Sequence, residues 1–161
     1  MMKIHFVVCL ALSVCLANMA GAASSSESTL ADSSTAISHA SEQRVKVRIA
    51  IGSKMMTAEL DDNPTARDFL SLLPLTVTLR DYSRAEKVSD ALPRRLSEAG
   101  APESAAGETG DIAYYAPWGN IAFYRGQGPD ASGVIRIGKI LSGSEALHQS
   151  GQISMTLSRA E

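Results

Sequence analysis

The side chains best equipped for chemistry lie in one stretch, GDIAYYAPWGNIAFYRGQG, residues 110–128. It carries Tyr114, Tyr115, Trp118, Phe123 and Tyr124, with Arg125 and Gln127 close behind. Rings near a hairpin tip offer stacking area to apolar or proline-containing partners, and Tyr and Trp add a polar handle. APWGN reads as the turn, because Pro117 suits its second position and Gly119 or Asn120 tolerates positive φ. Trp118 then projects from the tip, where it either folds back over the mouth of a barrel or forms a ligand-stacking wall. Alternation puts Ile112, Tyr114 and Ala116 on one face and Ala113 and Tyr115 on the other. One of the two adjacent tyrosines therefore points away from the interior, and the sequence leaves open which. With Tyr82 from a charged turn, the candidate binding residues are Tyr82, Tyr115, Trp118 and Phe123.

Other chemistries find no footing. Asp61 and Asp62 precede Asn63-Pro64, a turn-and-cap setting, and read as capping residues rather than an acid/base pair. His5, His39 and His148 are scattered, so neither a zinc site nor a Ser-His-Asp triad is predicted. GQGPDASG has no strand-glycine-helix context and no Lys-Ser/Thr, which argues against a phosphate loop. No metal and no cofactor is expected. The net charge is −2, and no Lys/Arg cluster marks a nucleic-acid footprint.

The elements that must position the aromatic stretch begin well inside the chain. Residues 1–22 have a short basic start, an apolar run and AGA as a cleavage site, the layout of a secretory signal peptide. Export to the periplasm or the extracellular space is therefore expected, with no integral membrane span left after cleavage. Both cysteines, Cys9 and Cys15, fall in that segment, so the mature chain has no disulfide and rests on its hydrophobic core. LSVC loosely resembles a lipobox, but Val14 is large where a small residue is wanted. A lipoprotein is the less favoured alternative. Residues 23–43 are rich in Ser, Ala and Thr, with Leu30 and Ile37 as their large apolar residues, and read as a disordered tether.

Residues 44–161 read as the folded domain, mainly β. RVKVRIAIG alternates Val45, Val47, Ile49 and Ile51 against Lys46 and Arg48, and Met56, Ala58 and Leu60 continue after a turn. Thr65 and Asp68 have capping-box spacing for a short helix that Pro74 ends. LTVTLRDY is a strand. EKVSDALPRRLSEAG reads as a short strand and then a helical turn from Pro93 closed by Gly100. APESAAGETG is a loop, VIRIGKIL a strand, SGSEALHQ a helix capped by Ser142 or Ser144, and QISMTLS the last strand. Seven or eight short strands with two short helices imply a closed or nearly closed antiparallel barrel.

DNPTARDFLSLLPLTVTLRDY, EKVSDALPRRL, GDIAYYAPWGNIAFYR and IRIGKI together resemble the bacterial cyclophilin-like domain family, over about residues 45 to 158. The resemblance implies a closed antiparallel eight-stranded barrel with two short capping helices. True cyclophilins are peptidyl-prolyl isomerases. They bind X-Pro segments in a groove on the outer face of the barrel and use an arginine, a polarising amide and an apolar pocket. Phe123-Tyr124-Arg125 is similar to the cyclophilin Phe-His-Arg, and Gly126-Gln127-Gly128 echoes the glutamine-glycine stretch that follows it. The resemblance thus makes Arg125 and Gln127 the catalytic candidates. Here the two motifs run together, without the intervening segment and its methionine-bearing pocket. The expectation is a module that binds a peptide segment or a small apolar ligand without efficient catalysis. The alternatives are a peptidyl-prolyl isomerase acting on exported proteins and a purely structural role in which Trp118 is a core cap. The oligomeric state is not legible.

Overall fold

The computed structural model describes residues 44–161. The signal-peptide and tether readings of residues 1–43 lie outside the described residues.

Strict alternation in the first two strands, β1 (Val45–Ile51) and β2 (Lys54–Leu60), sends Val47, Ile49, Met56, Ala58 and Leu60 inward, each almost wholly buried. The remaining barrel strands are β3 (Leu75–Asp81), β4 (Glu86–Ser89), β6 (Asp111–Tyr115), β7 (Asn120–Tyr124), β9 (Val134–Ser142) and β10 (Ile153–Arg159). They close in the order β1-β10-β3-β4-β7-β6-β9-β2, every pair antiparallel. An eight-stranded barrel has an interior that side chains fill. Leu79, Ile112, Tyr114, Ile121, Phe123, Ile137, Met155 and Leu157 do so here. Closure also leaves this sheet without a free edge.

The barrel ends are plugged from two sides. Helix α1 (Pro64–Leu70) follows β2 and inserts Ala66 and Phe69 into the core. Its cap differs from the capping-box reading: the Asn63 side chain accepts from the Ala66 N–H at 2.8 Å, with Pro64 at the first helical position. The physical reason is that the helix starts two residues earlier than Thr65-Asp68 spacing suggests. Asp68 instead pairs with Arg94 and accepts from the Ser97 N–H, pinning the following loop, and the Arg94 guanidinium holds its carboxyl below the usual range. Nor do the preceding acids cap: Asp61 pairs with Arg136 at 2.9 Å and Asp62 with Arg67. At the opposite end a 3-10 helix (Ser144–His148) buries Ala146 and Leu147. Its N-cap is Gly143 in the left-handed region, with no side-chain cap from Ser142 or Ser144.

Two segments depart from the sequence reading. Residues 90–100 form no helical turn; they run irregularly and are tied down by Leu92 N–H to Gly119 O and by Arg94. The loop read at APESAAGETG contains a three-residue strand, β5 (Ser104–Ala106), which pairs with β8 (Asp130–Ser132). This separate two-stranded ribbon lies against the outside of the barrel, with Ala105 and Ala131 packed on a cluster of Val88, Ala113, Ala122, Tyr124 and Val134. Alanines on both surfaces let the ribbon approach closely. Among the described residues no helix is long and apolar enough to cross a membrane.

Candidate functional site

The hairpin of β6 and β7 fixes which aromatic side chains meet. Tyr115 pairs with Asn120, Tyr114 with Ile121, Ala113 with Ala122 and Ile112 with Phe123. Opposed residues share a face, so Tyr114, Ile121 and Phe123 point into the barrel. Tyr115, Asn120, Ala122 and Tyr124 point out. Tyr114 is the buried member of its pair, its hydroxyl accepting from the Leu96 N–H at 3.3 Å. Gly119, at φ +66°, makes the turn that carries Trp118, as the APWGN reading anticipated.

A groove runs along this outer face between the barrel and the β5–β8 ribbon. Val88, Ala122 and Val134 form its floor, Pro129 and Ala131 of the ribbon side form one wall, and Tyr82, Tyr115, Trp118 and Tyr124 supply the rings. Tyr82 and Trp118 arise from opposite ends of the β4–β7 pair and meet edge to face, with centroids 5.4 Å apart; Tyr115 meets Trp118 the same way at 5.3 Å. Trp118 is 48% exposed and Tyr82 58% exposed, so these rings form a wall facing solvent and do not cap the core. The volume is about 110 Å³. That is room for one side chain or ring: an apolar cavity of about 150 Å³ takes one benzene, whereas pockets for whole cofactors and drug-sized ligands run to several hundred.

Two polar side chains stand in this groove, and sequence reasoning missed both. Asn120 is 2% exposed, and its Nδ2 donates to the Ser89 carbonyl at 2.9 Å. That bond fixes the amide's orientation and leaves Oδ1 buried without a partner. Glu86, on β4 opposite Tyr124, is 7% exposed and forms no ion pair among the described residues. Burial pushes its carboxyl up, and hydrogen bonds with the Ser83 and Tyr124 hydroxyls offset this in part. The Tyr124 hydroxyl is pushed up to about 12, by burial first and then by the neighbouring Glu86 charge.

The Tyr124 ring locks the ribbon in place. It lies in a slot formed by the missing side chains of Gly107 and Gly128, whose backbones are joined by Gly128 N–H to Gly107 O at 2.8 Å. A Cβ on either glycine falls closer than 3.0 Å to the ring.

The remaining candidates sit elsewhere. Phe123 is fully buried in the barrel core, one residue out of phase with the groove, and Tyr124 occupies the place expected for it. Arg125 continues the inward face and lies over the barrel end. It donates to Ser83 O at 2.9 Å and Leu147 O at 3.2 Å, and pairs with Asp81 at 3.0 Å. Asp81 also pairs at 2.9 Å with Lys87, which is fully buried and donates to Gly151 O at 2.7 Å. The Lys87 ammonium, with the Gly151 N–H and Arg125 adding to it, holds the Asp81 carboxyl below its usual range. Gln127 sits on the exposed loop after Arg125, and neither residue lines the groove. Tyr82, Tyr115 and Trp118 are thus brought together, while Phe123, Arg125 and Gln127 are not.

The eight-stranded barrel agrees with the proteins that this chain is similar to. The model of the cyclophilin-like family matches residues 49–158, and the chain belongs to that family. A hypothetical protein from Archaeoglobus fulgidus, whose structure was determined in solution, is similar in fold at a TM-score of 0.54 and 23% identity. The match covers 73% of this chain and 95% of that one. Among curated proteins none matches.

Proposed function

We propose that this chain is an exported binding module that receives a peptide segment or a small apolar group in the groove of Tyr82, Tyr115 and Trp118, without efficient catalysis. One observation carries the reading: solvent-facing rings border a groove in which the buried Asn120 Oδ1 has no partner. Buried polar atoms in folded proteins are nearly always satisfied, and an unsatisfied one costs about 1–3 kcal/mol. A ligand that donates to Oδ1 recovers that energy. Export rests on the pattern of residues 1–22.

The isomerase alternative draws no support from the groove. Catalysis by the cyclophilin route wants an arginine beside the proline carbonyl, and no arginine or glutamine lines this groove. The test follows Trp118 fluorescence while the protein is titrated with a panel of X-Pro and non-proline peptides, alongside a protease-coupled isomerase assay. The expected result is a saturable change, lost in Tyr82→Ala with an unchanged melting temperature, and no acceleration of isomerisation. Acceleration abolished in Arg125→Ala, with its fold intact, overturns the non-catalytic reading. Flat fluorescence with every peptide overturns peptide binding.

A further inference from the structure

Apart from the ring substituents, the polar side chains in the groove, Glu86 and Asn120, present acceptors, and one is a carboxylate. Asn120 offers Oδ1 alone, because its Nδ2 is committed to Ser89 O. Glu86 is buried to 7% exposure with no cation on it among the described residues. The rings of Tyr82, Tyr115 and Trp118 present π-faces and edges at the mouth between these two groups. A buried anion without a counter-charge is an uncommon and costly arrangement. Rings beside a carboxylate form the recognised setting for a cation, whose charge is attracted both by the ring quadrupole and by the anion.

We infer that the groove takes a lysine or arginine side chain presented by an extended segment of a partner protein, its alkyl stem against Val88 and Ala122, its charged head at Glu86, and a backbone N–H of the same segment at Asn120 Oδ1. This rests on the binding reading above and names the chemistry of its ligand.

Three features of the molecule favour this occupant. The volume of about 110 Å³ suits a single long side chain. The stem of a basic residue covers apolar surface while its head stays polar, which matches an apolar floor with an acidic end. Glu86 and Asn120 lie at opposite ends of the β4–β7 pair, since Glu86 is opposite Tyr124 and Asn120 is four residues earlier on β7. At about 3.3 Å per residue they are roughly 13 Å apart, a span that needs an extended segment as well as one side chain. The segment directly before the domain does not offer such a side chain: between residues 4 and 43 there is no Lys or Arg.

The experiment is a calorimetric titration of the full chain with pentapeptides Ac-Gly-Gly-Xaa-Gly-Gly-amide, in which Xaa is lysine, arginine or norleucine, at low and at physiological salt. The expected result is that the lysine and arginine peptides bind about tenfold more tightly than norleucine. In Glu86→Gln the preference should fall several-fold, to the remainder that the rings alone supply, while norleucine binding persists. Equal binding of all three peptides overturns the cation assignment and leaves the groove reading standing. Binding of none overturns both. Sedimentation of the free protein distinguishes a further occupant: a dimer that Glu86→Gln dissociates makes the partner a second copy of this chain and overturns the assignment to another protein.

Discussion

Replacing Gly107 by Ala tests whether the ribbon that walls the groove is held by the Tyr124 ring. Gly107 does not occupy the left-handed region, so Ala is conformationally allowed there. Without a clash the substitution stabilises by about 0.4–1 kcal/mol, through the entropy of the unfolded chain. The clash reverses the sign. The new Cβ falls closer than 3.0 Å to Cζ, Cε1 and Cε2 of Tyr124, and carbon atoms settle at about 3.5–4.0 Å, so ring and ribbon must separate by roughly 1 Å or more. Gly128 lies against Cε1 and Cδ1 of the same ring, so the ring cannot slide along the glycine pair to escape. Overpacking of this kind costs about 1–3 kcal/mol. At roughly 4 °C per kcal/mol for a domain of this size, the melting temperature falls by about 4–12 °C. The assay is urea unfolding of a double-mutant cycle with Tyr124→Ala. With the ring removed, Gly107→Ala becomes neutral or slightly stabilising, and the coupling equals the clash. An equal cost in both backgrounds, or no cost in the wild type, refutes the slot.

Three further outcomes follow from the same geometry. Glu86→Gln should raise stability at pH 7, because a carboxyl pushed up by burial is more easily ionised in the unfolded chain. As pH falls through its folded value the native carboxyl takes up a proton, so the advantage of Gln shrinks and is gone well below the ordinary glutamate value of about 4.3; an unchanged advantage at pH 3.5 contradicts the assignment. Phe123→Ala should cost about 3–5 kcal/mol in urea unfolding, as a core truncation does, and a near-neutral result would put Phe123 on the surface. Arg125→Ala should destabilise by about 1–3 kcal/mol through its lost bonds to Ser83 O and Leu147 O, with groove affinity unchanged in a peptide titration; lost affinity in a stable variant would move the site toward the barrel end.

Much of the barrel was legible because period-two alternation is strong in β1, β2 and β10, where one face is buried and the other is wet, while β6 and β7, buried on both faces, stand out as short apolar and aromatic runs around a turn. The closed order and the helices as plugs followed from strand count and from the family resemblance. The site was legible by half. Tyr115 and Trp118 share one hairpin and Tyr82 belongs to a recognisable turn, but Glu86 and Asn120 enter the groove through pairing between β4 and β7, which leaves no local trace. Phe123 was assigned to the groove by nearness in sequence. The signal that places it correctly was present: if Tyr115 faces residue 120 across a four-residue turn, then 122 and 124 share its face and 123 does not. The ribbon of β5 and β8 was missed because three-residue strands of Ser, Ala and Asp carry no hydrophobic period, and their stability comes from packing on Ala113 and Ala122. The caps failed at the level of single residues, where Asn63 competes with Thr65 and both fit helix-start chemistry.

The central claim is that the outer-face groove, and not the arginine at the barrel end, is where this protein meets its partner. The most direct measurement is a proton–nitrogen NMR titration of the labelled chain with the lysine-centred pentapeptide. The account predicts shifts confined to the Trp118 indole N–H, the Asn120 side-chain amide, and backbone amides of residues 82–88 and 130–132. Shifts centred on residues 125–128 and 147–151, or on the separate recess lined by Asp61, Thr65 and Arg136, would contradict it.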